Sequence, residues 1–163
     1  NVAAMSERQL ERYRLRKIGF VFQFFNLIPS LSATENLELP MLIAGTSEDE
    51  RRSRAEALLE TVGLVDQANK LPSVVSGGEQ QRAAIARTLA NDPPLIVADE
   101  PTGNLDSRNS QGVFELFSKV ISQGKTLLMV THDKELARRV PRIVEILDGK
   151  ITRDEYVGQA GQV

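Results

Sequence analysis

Apolar positions change their period along this chain, and the changes mark out its elements. Ile18-Gly19-Phe20-Val21-Phe22 is apolar at every position and rich in strand formers, which predicts a buried strand ending at Gln23. Ahead of it, Ser6-Glu7-Arg8-Gln9 has capping-box form and predicts a helix running to about Lys17. From Phe24 to Pro40 the prolines and serines predict loop, with a short helix near Ala33 to Leu37. Ser47-Glu48-Asp49-Glu50 opens a further helix, in which Ala55, Leu58, Leu59 and Val62 recur at i, i+3, i+4 and i+7 before Gly63 ends it. Ser76 to Glu79 opens another through Ala83, Ala84, Ile85, Ala86 and Leu89, which stops before Pro93-Pro94.

The period then returns to that of a strand. Leu95 to Ala98 is short and apolar; after Asp106 a long helix is expected to turn Val113, Leu116, Phe117, Val120 and Ile121 inward until Gly124; Thr126 to Val130 is again strand-like. Strand, helix and strand of these lengths predict a right-handed parallel crossover, the unit of a doubly wound α/β sheet. Arg142 to Leu147, the turn Asp148-Gly149 and Lys150 to Arg153 predict a hairpin. The tail from Gly158 to Val163 carries no pattern, and no internal repeat is visible.

Two of these element ends carry chemistry. A parallel strand ending in Asp99-Glu100 delivers two carboxylates to the crevice beyond the strands' carboxyl ends. Asp99 suits Mg²⁺, and Glu100 suits orienting or deprotonating an attacking water; without further context the same pair merely begins an exposed turn at Pro101. Ser76-Gly77-Gly78-Glu79 is a capping box, and it is also an anion site: amides at a helix N-terminus, with no β-carbon at Gly77 or Gly78 to hold a terminal phosphate away. His132, the one histidine, follows a strand in Val130-Thr131-His132-Asp133, and alone it reads as incidental.

The longer runs decide between these readings. Ser76-Gly77-Gly78-Glu79-Gln80-Gln81-Arg82, followed by Leu95-Ile96-Val97-Ala98-Asp99-Glu100 and Pro101-Thr102-Gly103-Asn104-Leu105-Asp106, resembles the ABC-transporter ATPase family. The resemblance runs from Ile18 to about Arg153. It implies a P-loop NTPase-like α/β domain with a mostly parallel sheet and a helical signature subdomain. On this likeness residues 24–92 are the Q-loop and helical subdomain, and residues 93–153 hold the Walker B, D-loop and switch-histidine part.

The resemblance also implies roles. Ser76, Gly77, Gly78 and Gln80 close over ATP held by a second subunit, and Asn104, Leu105 and Asp106 form the loop that crosses the dimer seam. Asp99 is the magnesium-associated aspartate, Glu100 the catalytic glutamate and His132 the switch histidine that contacts the γ-phosphate. Gln23 links nucleotide and Mg²⁺ to a transmembrane partner. ATP and Mg²⁺ are the implied cofactors, and a second ATPase subunit and a membrane permease the implied partners. The run Phe22 to Pro29, with Glu35-Asn36-Leu37-Glu38-Leu39-Pro40, looks like the branch that includes lipoprotein-release, macrolide-export and antimicrobial-peptide-export ATPases; the cell-division ABC ATPase is similar too.

Composition narrows the setting. With 41% hydrophobic and 26% charged residues, the 163-residue chain has globular composition and the length of one domain. It has no cysteine, which excludes disulfides and thiolate metal sites. A net charge of −2 argues against nucleic acid as a partner. No apolar run approaches the roughly 20 residues of a membrane helix, so membrane contact is expected only through a partner, at the cytoplasmic face. Arg8, Arg12, Arg14, Arg16 and Lys17 form one basic cluster and Arg51, Arg52 and Arg54 another; both read first as solvated helix faces, with a partner or anionic lipid as the alternative.

One family element is missing. The 163 residues contain no G-x-x-x-x-G-K-[ST], so the phosphate loop is expected upstream of residue 1 and the chain is expected to be a truncated ABC ATPase domain. Alone, such a piece is expected to bind and hydrolyse ATP poorly or not at all. Two other classes compete. A non-catalytic regulatory ABC-like module conflicts with the presence of Glu100 and His132. A DNA-maintenance ATPase of the SMC and Rad50 kind conflicts with the short distance from Gln23 to Ser76.

Overall fold

The computed structural model describes residues 2–156, so the tail from Gly158 to Val163 lies outside the described residues. The chain divides into two compact units, Asn1–Met129 and Val130–Val163. Its elements, in order, are α1 (Glu7–Lys17), β1 (Ile18–Val21), α2 (Ala33–Ile43), α3 (Glu48–Thr61), α4 (Gly77–Leu89), β2 (Leu95–Asp99), α5 (Ser107–Ser122), β3 (Thr126–Val130), α6 (Lys134–Ala137), β4 (Arg142–Leu147) and β5 (Lys150–Tyr156).

Three strands form one sheet in the order β1-β2-β3. β1 runs parallel to β2, with Ile18 opposite Leu95 and Val21 opposite Ala98. Side chains alternate across a strand, so this register sends Val21, Ile96 and Ala98 to one face. There they join Ile85 and Leu89 of α4 and Val113, Phe117 and Val120 of α5 in a continuous core. The same core takes in Leu37 and Met41 of α2 and Ala55 and Leu59 of α3, which ties the helical part to the sheet.

Four expectations need correction. β1 ends at Val21, not Phe22, and it is buried on one face only: Phe20 and Phe22 stack at 6.0 Å and stay exposed, as do Leu128 and Val130 of β3. The helices of the described residues cover the other face, and alternation leaves these side chains without cover. α2 runs on to Ile43 with Pro40 inside it. Pro40 removes one amide, but buried Leu37 and Met41, at i and i+4, hold the turns together, and the Ser32–Glu35 cap secures the start. Ile121 is 45% exposed rather than inward. β5 continues to Tyr156, where Arg142 clasps Asp154 with two bonds of 2.9 Å.

Of the three capping boxes expected at Ser6, Ser47 and Ser76, the one at Ser47 does not form: its hydroxyl donates to Glu50 Oε2 at 3.2 Å and caps no backbone amide. Ser6 N donates to Gln9 Oε1 at 2.8 Å, and Ser76 N to Glu79 Oε2 at 2.8 Å, the reach-back halves of two capping boxes. Gly124 takes φ +87° after α5, a left-handed stop that other residues resist.

Candidate active site

Because β1 and β2 are parallel and in register at Val21 and Ala98, Gln23 and the pair Asp99-Glu100 leave the sheet at the same carboxyl edge. Asp99 is exposed, and Glu100 is half-buried with φ +44°, a left-handed backbone that a carboxylate residue adopts only when its surroundings hold it. The turn that follows supplies that hold. Gly103 N donates to Glu100 O at 3.0 Å, and fully buried Gln81 of α4 donates from Nε2 to Pro101 O at 2.6 Å.

Gln23 is fastened to the same turn. Asn104 Nδ2 donates to Gln23 O at 3.0 Å, and Gln23 Nε2 reaches Asn104 Oδ1 at 3.4 Å. A β-carbon on Gly103 would stand 2.8 Å from Gln23 Nε2, so the glycine makes room for the amide. The loop beyond Gln23 is pinned from two helices. Arg87 of α4 donates to the carbonyls of Phe25 and Asn26, both at positive φ. Buried Asn36 of α2 bonds Ile28 N at 2.8 Å and Ile28 O at 3.1 Å.

The start of α4 forms the second part of the site. Ser76 Oγ donates to Glu79 Oε2 at 2.7 Å, and Glu79 N donates back to Ser76 Oγ at 3.4 Å. The Ser76 hydroxyl, and after it the Ser76 amide, hold the Glu79 carboxyl below the usual carboxylate range. Gln80 Nε2 donates to Val75 O at 3.3 Å, outside the helix. Gly78 is buried, and a β-carbon there would lie 2.2 Å from Asn109 Oδ1. The missing side chain at Gly78 therefore serves contact with the start of α5. Gly77 is not crowded in this way: its β-carbon would meet Phe25 Cζ at an ordinary 3.6 Å.

Asp106 caps α5. It accepts from Asn109 N at 2.8 Å and from Asn109 Nδ2 at 2.9 Å, and the Asn109 amide leads in holding its carboxyl low. His132 stands in the second unit, in the turn between β3 and α6, where Asp133 N donates to Thr131 Oγ1 at 3.1 Å.

Comparison with known proteins gives the family to which these elements belong. The sequence model of the family described as ABC transporter matches residues 2–103. An uncharacterized ABC transporter ATP-binding protein of Thermotoga maritima is 54% identical over 157 residues, 96% of this chain and 67% of that protein. The chain belongs to the ABC transporter family. The lipoprotein-releasing system ATP-binding protein LolD of Aquifex aeolicus is 51% identical over 146 residues, covering 90% of this chain and 65% of LolD. The macrolide export ATP-binding/permease protein MacB of Brucella melitensis is 47% identical over 154 residues, 94% of this chain and 24% of MacB. Among solved structures, the dimeric post-hydrolysis state of the ATP-binding cassette MJ0796 bound to ADP and Pi superposes with a TM-score of 0.84 at 45% identity, over 94% of this chain and 68% of that one. This ABC chain thus spans about two thirds of the length of its LolD relative.

Members of this family imply Mg²⁺, and the donor chemistry here fits it. Among the described residues no three His, Asp or Glu side chains converge into a protein-only cage. Magnesium keeps waters and takes substrate phosphates, so one or two hard protein oxygens suffice. Asp99 offers an exposed carboxylate, and Gln23 could add its Oε1, since it is its Nε2 that reaches Asn104.

The holding roles of Gln81, Arg87 and Asn104 are not legible in the sequence, because each acts on a partner far away in the chain; Asn36 and Asn109 act on nearby loop residues, for which no periodic pattern gives a signal. A local signal did exist for the start of α2: Ser32-Ala33-Thr34-Glu35 is itself a capping box.

Proposed function

We propose that this chain is the signature-bearing and acid-bearing part of an ATP-hydrolysing subunit that powers transport through a membrane permease and works as one of a pair. The observation that carries this reading is the shared carboxyl edge of β1 and β2, where Gln23 and Asp99-Glu100 emerge together and Asn104 joins them. Asp99 and Gln23 Oε1 would hold Mg²⁺, which neutralises charge on the phosphates. Glu100 orients the attacking water and takes its proton. His132 meets the γ-phosphate, and Asp106 meets the other subunit.

Ser76, Gly77, Gly78 and Gln80 present a helix N-terminus to nucleotide held by the second subunit. The MJ0796 cassette, solved as a dimer, supports the pair. MacB, whose name joins ATP-binding and permease parts, supports the membrane partner and a place at the cytoplasmic face. No helix among the described residues is long and apolar enough to cross a membrane.

The test mixes the 163-residue chain with intact LolD and follows Mg-ATP hydrolysis. The chain is expected to stimulate hydrolysis at one composite site. Ser76→Arg in the chain should abolish the stimulation, whereas Glu100→Gln in the chain should leave it, since that carboxylate serves the chain's own side. Stimulation that survives Ser76→Arg would overturn the proposal.

A further inference from the structure

The two arginine-rich segments are used in opposite ways. In α3, Arg51 Nη1 donates to Thr46 O at 2.8 Å; Arg54 Nη2 donates to Leu89 O at 3.0 Å and lies 3.6 Å from Asp92. Those cations are fastened to the fold. In α1 the cations are mostly idle. Arg8, Arg12, Arg14 and Lys17 are exposed, and among the described residues none of the four has a side-chain hydrogen bond or ion pair; only Arg16 is engaged, donating to Ala44 O at 3.0 Å.

The helix itself makes this arrangement costly. No residue of α1 is buried, so packing contributes little to holding it. Arg8, Arg12 and Arg16 recur at i, i+4 and i+8, where like charges stack along one face and repel. Glu7 and Glu11 are its only acids, in a chain whose net charge is −2. Four unpaired cations on an exposed helix, with Arg16 beside them, are relieved by an extended anionic surface.

We propose that α1 is a membrane-surface anchor whose basic side chains lie on anionic lipid headgroups, a proposal that rests on the transport reading only for the presence of a membrane nearby. Clusters of four to eight basic residues of this kind bind anionic lipid, each contributing roughly five-fold to affinity. With two or three of them reaching the surface at once, the helix contributes about 25- to 125-fold.

The experiment is sedimentation of the 163-residue chain, without nucleotide or second subunit, on vesicles of phosphatidylglycerol and phosphatidylcholine and on phosphatidylcholine alone. Binding is expected to the anionic vesicles only and to weaken from about 0.1 M to 1 M salt as the screening length shortens. The variant R8Q/R12Q/R14Q/K17Q is expected to lose about 25- to 125-fold. K70Q/K119Q/K134Q/K150Q, which removes the same charge from other exposed lysines, is expected to bind as the parent does. Glutamine matches arginine in helix propensity, so the far-UV spectrum should not change. R8K/R12K/R14K keeps the charge and is expected to retain binding whatever the fate of the glutamine variant. Equal loss in the two four-fold variants, equal binding to neutral vesicles, loss in the lysine variant, or retention by an acidic polypeptide or RNA in place of the vesicles would each overturn the proposal. A failed LolD stimulation leaves this outcome unaffected, since no nucleotide is involved.

Discussion

Replacing Gly78 by alanine separates the two reasons a glycine could stand at the start of α4. A helix gains about 1 kcal/mol when an interior glycine becomes alanine, which is the upper limit for a first-turn position such as Gly78. Here the new β-carbon would lie 2.2 Å from Asn109 Oδ1, 2.5 Å from its Cγ and 3.1 Å from its Nδ2. Asn109 has little freedom to yield, because its amide and its side chain are both bonded to Asp106. Overpacking at a buried position costs about 1–3 kcal/mol, which outweighs the helical gain. Gly78→Ala is therefore expected to destabilise the chain by up to about 2 kcal/mol. In an Asn109→Ala background the obstacle is gone, and the same change is expected to stabilise, by up to about 1 kcal/mol. Urea unfolding followed by far-UV circular dichroism reads both, and an unchanged slope against denaturant confirms that only stability moved. If Gly78→Ala has the same sign in both backgrounds, Asn109 is not what the glycine accommodates.

Further predictions concern the same junction. Gln81→Leu leaves the Pro101 carbonyl without its donor and is expected to cost about 1–3 kcal/mol in urea unfolding; a neutral result would mean that water replaces the amide. A double-mutant cycle of Gln23→Ala and Asn104→Ala isolates the side-chain contact from Gln23 Nε2 to Asn104 Oδ1, since the bond to the Gln23 carbonyl survives the first change; a coupling of about 0.5 kcal/mol is expected, and no coupling would show that the side-chain contact carries no stability. Stability should also fall in acid. Glu79, held low by Ser76, Asp92, held low by Lys125, and Asp106, held low by Asn109, all have depressed carboxyls in the folded chain. Their contribution is full above the ordinary carboxylate range and is lost as pH drops below about 4, through the depressed folded values. Ser76→Ala should shrink that acid dependence, and a pH profile identical to the parent's would refute the assignment to Glu79.

What could be read from the residues was local. Capping signatures at Ser6 and Ser76, the left-handed stop at Gly124 and the acidic end of β2 all appear where spacing places them, since each depends on neighbours within one turn. The end of α2 is not legible, because a proline argues for a stop, whereas the burial of Leu37 and Met41 against other helices carries the helix past Pro40. The one-sided burial of β1 is hidden for a similar reason: an unbroken apolar run does not reveal that only one sheet face has helices over it. In the site, the motif residues were legible, but their mutual holding was not. Gln23 meets Asn104 across 81 residues, and Arg87 meets Phe25 across 62, separations at which no periodicity carries information.

The capping box and the anion site at Ser76 do not simply coexist; they compete. A helix N-terminus presents donors that favour one negative charge, and in this chain Glu79 already supplies it, taking both the hydroxyl and the amide of Ser76. A phosphate arriving there meets a carboxylate on the same turn, held ionised by the very donors the phosphate needs. On the proposed reading, the Ser76 hydroxyl must turn from Glu79 to the phosphate, and the exchange is favourable only when something else also holds that phosphate in place. A second subunit carrying the nucleotide meets this requirement, and free phosphate in solution does not. On that reading Glu79 is the resting occupant of the site: it satisfies the hydroxyl and the amide of Ser76 in the lone chain, and the hydroxyl would pass to nucleotide only across a formed interface.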